Sequence, residues 1–257
     1  MPQAGAIAQS VMAAAPPPFP LALQGATVAV TGASGSLGQA LLRHLHRQGA
    51  QLIALTSGTT PLQLFDQEER PIALRQVPWQ CGAEEELREL LAEVDILVLN
   101  HGVNLHASRS PEAVWQSLEV NALSSWRLLE LFAGLAAAAG QAARPREIWI
   151  NTSEAEIQSA VSPLYEISKR LQGQLLSLRS LDLASPQLRI RRLVLGPFRS
   201  ALNPIGLMSA EFVAGEILRQ VRWNCGLVLV SPNPLTYVLM PLATLTRWLY
   251  FRAFTRA

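Results

Sequence analysis

Three observations predict a doubly wound α/β fold built on one parallel sheet. Short apolar segments alternate with segments of helical periodicity from Thr27 to Ser231. The strand-like segment Asp95–Asn100 is apolar, as in strands covered on both faces, and lacks the alternation of a half-exposed sheet. A turn carrying Gly32, Gly35 and Gly38 separates the first strand from the first helix. Backbone amides at such a turn meet a phosphate at the positive helix terminus. Right-handed crossovers then give a Rossmann-type sheet in a three-layer α/β/α sandwich.

The elements follow in order. Thr27–Thr31 is the first strand, and Leu37, Leu41 and Leu45 line one face of the next helix, which Gly49 ends. Strands are predicted over Gln51–Thr56 and Ile72–Trp79, an acidic-started helix over Glu84–Val94, and a buried strand over Asp95–Asn100. One long helix is predicted over Pro111–Ala139, a strand over Glu147–Asn151 and a helix over Ser162–Leu183. Strands Arg189–Leu195 and Leu227–Ser231 flank a helix over Ala210–Arg222. This places the dinucleotide-binding domain at 25–234. Residues 1–24, rich in Ala and Pro and without a basic residue before Arg43, read as a flexible tail.

Composition narrows the function. At 257 residues the chain fits one large domain, 49% hydrophobic and only 16% charged. A net charge of +2 without a basic run argues against nucleic acid. Cys81 and Cys225 stand outside any CxxC pattern, which fits two buried small side chains in a reducing, cytoplasmic setting.

Five segments carry the chemistry: the Gly loop, Asn100-His101-Gly102, Asn121, Tyr165-Glu166-Ile167-Ser168-Lys169, and Leu195-Gly196-Pro197-Phe198-Arg199-Ser200. In this order they resemble the short-chain dehydrogenase/reductase family over roughly residues 25–235. The glycine spacing TGxxGxxG is similar to the family's extended branch, whereas the short length, Asn100 and Asn121 are similar to the short branch. The whole chain also resembles chains labelled as fused sterol desaturase/short-chain dehydrogenases. Di-iron desaturases need clustered histidines, however, and this chain has only His44, His46, His101 and His106.

The resemblance implies roles for particular residues. Tyr165 would pass a proton to or from a substrate oxygen. Lys169, one helical turn away, would favour its phenolate and hold the nicotinamide ribose. The orienting serine of the family falls near Thr152-Ser153-Glu154: counting from the strand points to Glu154, counting back from Tyr165 points to Thr152. Ser153 is preferred on chemistry, because a neutral hydroxyl donates to a developing alkoxide that a carboxylate would repel. Asn121 would support a water relay to the lysine. Gly32, Ser34, Gly35, Ser36, Leu37 and Gly38 would cradle the pyrophosphate. Asn100 and Gly102 would let the cofactor lie against backbone, and Gly196, Phe198 and Ser200 would meet the carboxamide, with Leu195 replacing the family's usual proline.

After the second strand, Thr56 and Ser57 stand where a carboxylate would select against a 2′-phosphate, so NADP(H) is expected over NAD(H). The leading expectation is an oxidoreductase interconverting an alcohol and a carbonyl, with a hydrophobic small-molecule substrate suggested by Leu202, Ile205, Leu207 and Met208. The alternative is a catalytically silent dinucleotide-binding redox sensor or scaffold. An epimerase or dehydratase-like reading draws on the glycine spacing alone. Family members commonly form homo-oligomers. The apolar tail 235–257, with Arg247, Arg252 and Arg256 among aromatic residues, has two readings: packing against the core or a dimer partner, and peripheral contact with a membrane.

Overall fold

The protein is described from a computed structural model over residues 19–140 and 144–255. Seven strands form one sheet: β1 (Thr27–Thr31), β2 (Gln51–Thr56), β3 (Arg75–Pro78), β4 (Ile96–Leu99), β5 (Arg146–Ser153), β6 (Leu188–Leu195) and β7 (Leu227–Val230). Their order is 3-2-1-4-5-6-7 and every pairing is parallel. The order reverses between β1 and β4, the switch point where ligands sit in such sheets.

The helices are α1 (Ser36–Arg47), α2 (Arg88–Ala92), α3 (Pro111–Leu118), α4 (Ser124–Ala138), α5 (Pro163–Leu183), α6 (Ala210–Arg222) and α7 (Thr236–Phe254). Successive strand residues point to opposite faces, so the apolar strands feed two cores. Val28, Val30, Ile96 and Val98 pack with Leu41 of α1 and Ile217 of α6. Ala29, Leu55, Leu97 and Ile150 pack with Leu91 of α2, Phe132 of α4 and Leu176 of α5. The result is the expected three-layer sandwich.

Several boundaries differ from the sequence reading. The third strand is confined to Arg75–Pro78, and the acidic segment splits into a 3₁₀ turn, Glu84–Leu87, and α2. The single helix expected over Pro111–Ala139 is interrupted by a π turn at Glu119–Leu123. Such a bulge inserts a residue into the helical spiral, and here Asn121 within it is fully buried. Residues 236–254 of the expected apolar tail form a helix. At the other end, Leu21 is buried and its N–H donates to Glu147 Oε1 at 2.9 Å, and Phe19 and Leu23 pack against the same core, so this stretch is not a free tail; residues 1–18 of that segment lie outside the described residues.

That glutamate belongs to a fully buried ion pair. Arg191 on β6 donates from Nε to Glu147 Oε2 at 2.6 Å and from Nη2 to Oε1 at 2.9 Å. Trp149 Nε1 also donates to Glu147, at 2.7 Å, and Arg191 Nη1 donates to the Cys225 carbonyl at 2.8 Å. Breaking one side of such a pair strands a buried charge, whereas removing both sides does not. Arg191→Met is therefore expected to cost about 3–5 kcal/mol in urea unfolding, and Glu147→Leu/Arg191→Met to recover only part of that loss, because Trp149 Nε1 and the Leu21 N–H lose their acceptor.

Candidate active site

The carboxyl ends of β1, β4 and β5 bring the site together. Gly32 follows β1 with φ of +60°, and a Cβ there would lie 2.9 Å from His101 Cα and 3.0 Å from the Asn100 carbonyl oxygen. A Cβ on Gly38 would collide with the Gly32 carbonyl oxygen. Both positions need glycine because two stretches of backbone meet there. Gly35 caps α1 without a side-chain hydrogen bond, and the first turn of α1 carries no acidic residue. Ser34, Gly35 and Ser36 are exposed, while Leu37 anchors the turn in the core. The free amides and positive end of α1 thus face outward, which fits a pyrophosphate.

A polar network ties this loop to the neighbouring strands. Thr31 Oγ1 accepts from the N–H groups of Asn100 at 2.8 Å and His101 at 3.2 Å, and shares a 2.8 Å hydrogen bond with His101 Nδ1. Burial pulls the His101 imidazole down to about 3, with the Lys169 charge acting in the same direction, so the ring is neutral. Asn100 Nδ2 donates to the Gly32 carbonyl at 3.3 Å, and Asn151 Nδ2 donates to Asn100 Oδ1 at 3.0 Å.

From Asn151 the network reaches the catalytic candidates. Lys169 Nζ donates to the Asn151 carbonyl at 3.4 Å and to Gln172 Oε1 at 3.0 Å. The same Nζ lies 5.7 Å from the centre of the Tyr165 ring. Burial pulls the Lys169 ammonium down to about 8, and the charge of Glu156 works against that fall. Burial also pushes the Tyr165 phenol up; the Ser153 hydroxyl draws it back, and the Glu154 charge adds to the rise. Ser153 Oγ accepts from Ala155 N at 3.2 Å, which leaves its own proton to donate.

Glu154 turns away from the reacting end. Its Oε2 accepts from Ser231 Oγ at 2.5 Å and from Thr236 Oγ1 at 2.8 Å, so it fastens the start of α7 to the end of β5. Thr152 Oγ1 donates to the Leu193 carbonyl at 3.3 Å and belongs to the sheet. Of the three residues weighed for the serine position, Ser153 alone faces Tyr165 as a neutral donor.

Asn121 acts as a bracket. Its Oδ1 accepts from Val103 N at 2.8 Å, and its Nδ2 donates to the Val103 carbonyl and to Ser168 Oγ, both at 2.9 Å. It thereby joins the segment after β4 to α5, and a Cβ on Gly102 would sit 3.1 Å from its Oδ1. Gly196 lies where a Cβ would meet Ser231 Oγ at 2.6 Å, Phe198 bridges Met208, and Ser200 closes a tight turn with Asn203. Thr56 is buried at the end of β2 and donates to the Gly58 carbonyl at 2.8 Å, while Ser57 is exposed. No carboxylate occupies Thr56 or Ser57.

The sequence reading missed Asn151, Gln172 and Glu156. Gln172 stands three residues after Lys169 and Asn151 two before Ser153, so helix and strand periodicity place each beside a residue already singled out. Glu156 is a buried carboxylate held by Arg192 at 3.1 Å and Arg247 at 2.9 Å. No local pattern announces it, because its partners come from β6 and α7.

Comparison with known proteins agrees with this fold. The model of the NAD dependent epimerase/dehydratase family matches residues 28–160, just over half of the chain. A Monoglucosyldiacylglycerol epimerase of Synechocystis sp. (strain ATCC 27184 / PCC 6803 / Kazusa) is 46% identical over 236 residues, covering 92% of this chain and 56% of that protein. The chain thus spans about half the length of that curated relative. Two solved structures share the fold. A short chain dehydrogenase from Burkholderia cenocepacia J2315 in complex with NADP has a TM-score of 0.71 at 19% identity, covering 92% of this chain and 100% of that one. The ligand-free aldohexose dehydrogenase of Thermoplasma acidophilum has a TM-score of 0.65 at 15% identity, covering 82% and 93%. The two dehydrogenases show a likeness of fold, and the sterol desaturase label is not supported by the family match or the relative. A Gly-loop cradle on a 3-2-1-4-5-6-7 sheet, matched across residues 28–160, makes the chain a member of the NAD dependent epimerase/dehydratase family.

Proposed function

We propose that this chain is a nicotinamide-dependent epimerase that inverts a hydroxyl-bearing carbon of a sugar on a glycosylated diacylglycerol, with NADP(H) preferred over NAD(H). The observation that carries the reading is Tyr165, Ser153 and buried Lys169 gathered beside a dinucleotide cradle. The sugar and lipid come from the 46% identical relative named for that activity. An alcohol/carbonyl interconversion is contained in it, run forward and back on one molecule.

A nicotinamide dinucleotide held by the Gly32–Gly38 loop would supply reversible hydride transfer at the carbinol carbon, which permits return to the opposite face. Tyr165 Oη takes the hydroxyl proton as the carbonyl forms and gives it back as the new alcohol forms, so the pair of half-reactions leaves no net proton or electron. The Lys169 cation favours phenolate over the protonated phenol that burial alone would select. Ser153 donates to the substrate oxygen and holds it within reach of Tyr165. Gln172 and the Asn151 carbonyl orient Lys169. The exposed Ile205 and Leu207, in the segment after β6, suit an entry for an acyl-bearing substrate. The cofactor preference rests on the missing carboxylate after β2.

Incubating the purified chain with detergent-dispersed monoglucosyldiacylglycerol and catalytic dinucleotide tests this. The expected result is an epimeric glycolipid, resolved by chromatography and NMR, without accumulation of reduced cofactor. Tyr165→Phe is expected to lower turnover by about 10²–10⁴-fold while dinucleotide binding persists. Stoichiometric reduced cofactor with a ketone product would make the chain a dehydrogenase. Binding of dinucleotide without any conversion would favour the sensor or scaffold. Tighter binding of NADH than NADPH would overturn the cofactor preference.

Lys169 gives a second check that needs no substrate. The unfolded chain binds its proton up to the ordinary value of 10.5 and the native chain only up to about 8. The penalty for the buried charge is therefore complete below about 8 and is relieved as pH rises toward 10.5. Across that window wild-type stability should improve relative to Lys169→Met by on the order of 3 kcal/mol, read by urea unfolding at several pH values.

A further inference from the structure

Helix α7 has only Thr236 and Met240 buried. Val238, Leu242, Leu245, Leu249, Tyr250 and Phe254 are exposed, Phe254 to 77%. Residues 235–255 contain no Asp or Glu, and their charges are Arg247 and Arg252. Arg252 lies over the Trp248 ring at 5.0 Å, and Tyr250 stacks against Phe254 at 5.1 Å. We propose that α7 is a docking helix that lies flat on the surface of a bilayer containing anionic lipid. This choice of occupant rests on the lipid substrate proposed above.

The inner stripe of α7 fixes how it would lie. Thr236 Oγ1 donates to Glu154 Oε2 and accepts from Gln158 Nε2 at 2.8 Å. One helix pitch after another along the same side, Arg247 Nη1 donates to buried Glu156 Oε2 at 2.9 Å and Nη2 to the Glu156 carbonyl at 3.3 Å. These bonds hold one side of α7 against the body along most of its length, so the helix is not free to stand upright in a membrane. No helix among the described residues is long and apolar enough to cross one. The opposite side, with Val238, Leu242, Leu245 and Leu249, then presents apolar area and Arg252, with Trp248 at its edge, a combination suited to the headgroup boundary.

The same bonds connect the surface to the chemistry. Glu154 and Glu156 lie one and three residues after Ser153, and α7 leaves β7 at the carboxyl end of the sheet, where the site opens. The exposed Ile205 and Leu207 belong to the segment that leaves β6 at that same end. A bilayer under α7 would hold a lipid headgroup close to the cleft that receives it.

The test is co-flotation with phosphatidylcholine vesicles with and without phosphatidylglycerol, for the wild-type chain and for Leu242→Asp/Leu249→Asp. Both positions are about half exposed, so the variant should fold and bind dinucleotide as the wild type does. The expected result is flotation of the wild type, strengthened by phosphatidylglycerol, and at least about tenfold weaker partitioning of the variant. Wild-type protein that stays off both vesicle types, or partitions no better than the variant, overturns the proposal. So does a dimer in light scattering that the double substitution dissociates, since a second copy would then cover the face. Turnover of a micelle-dispersed glycolipid by a chain that ignores vesicles would sink the docking surface and leave the epimerase standing. Flotation without turnover would do the reverse.

Discussion

Burial of the Lys169 cation is the constraint that the rest of the site answers to. An ammonium taken out of water is costly unless it keeps strong acceptors or a nearby negative charge. Here the acceptors are neutral, the Asn151 carbonyl and Gln172 Oε1, and the nearest opposing charge is Glu156. The arrangement leaves the lysine charged at neutral pH but readily influenced, a state that suits the role proposed for it beside Tyr165. A direct carboxylate partner would hold the ammonium more firmly and screen its field from Tyr165.

Glu156 brings its own demands. Its carboxylate needs cations, which come from Arg192 and Arg247, and it needs space, which comes from Gly173 on α5. A Cβ at Gly173 would run into the Glu156 carboxylate. Arg192 Nη2 also donates to the Gly173 carbonyl at 2.5 Å. The lysine environment is therefore set by β6, α5 and α7 together, and movement of α7 would be felt at Glu156 before any other buried acid. The apolar cores beneath contribute rigidity, since close-packed side chains transmit small displacements instead of absorbing them.

The Gly loop explains why the chain carries marks of two branches of one superfamily. The spacing of Gly32, Gly35 and Gly38 is the one likened above to the extended branch, and it lies inside the family match over residues 28–160. Asn121, likened above to the short branch as a support for a water relay, sits in the π turn and uses its side-chain amide to hold Val103 and Ser168. The two features are compatible because they sit on different sides of β4. The loop is shaped by backbone packing on Asn100 and His101, and the bracket by side-chain bonding behind Gly102.

Much of this protein was legible in one dimension. Strand and helix order, the parallel sheet and the phosphate turn follow from hydrophobic runs and glycine placement, because these are local consequences of periodicity and backbone sterics. Tyr165 and Lys169 were singled out by the resemblance of five segments in order, and the helical period alone says only that they lie one turn apart. What the sequence could not assign was the meaning of Ser153 against Glu154, since adjacent residues point in opposite directions only once the strand end and its partners are fixed. The π turn was hidden inside a uniformly helical pattern, and α7 inside a segment apolar enough to suit a core or a membrane. Gln172, Asn151 and Glu156 gained their roles through long-range contacts among β5, β6, α5 and α7. Tertiary structure decided these points because a buried charge is governed by whatever surrounds it in space, and chain order does not encode that surrounding.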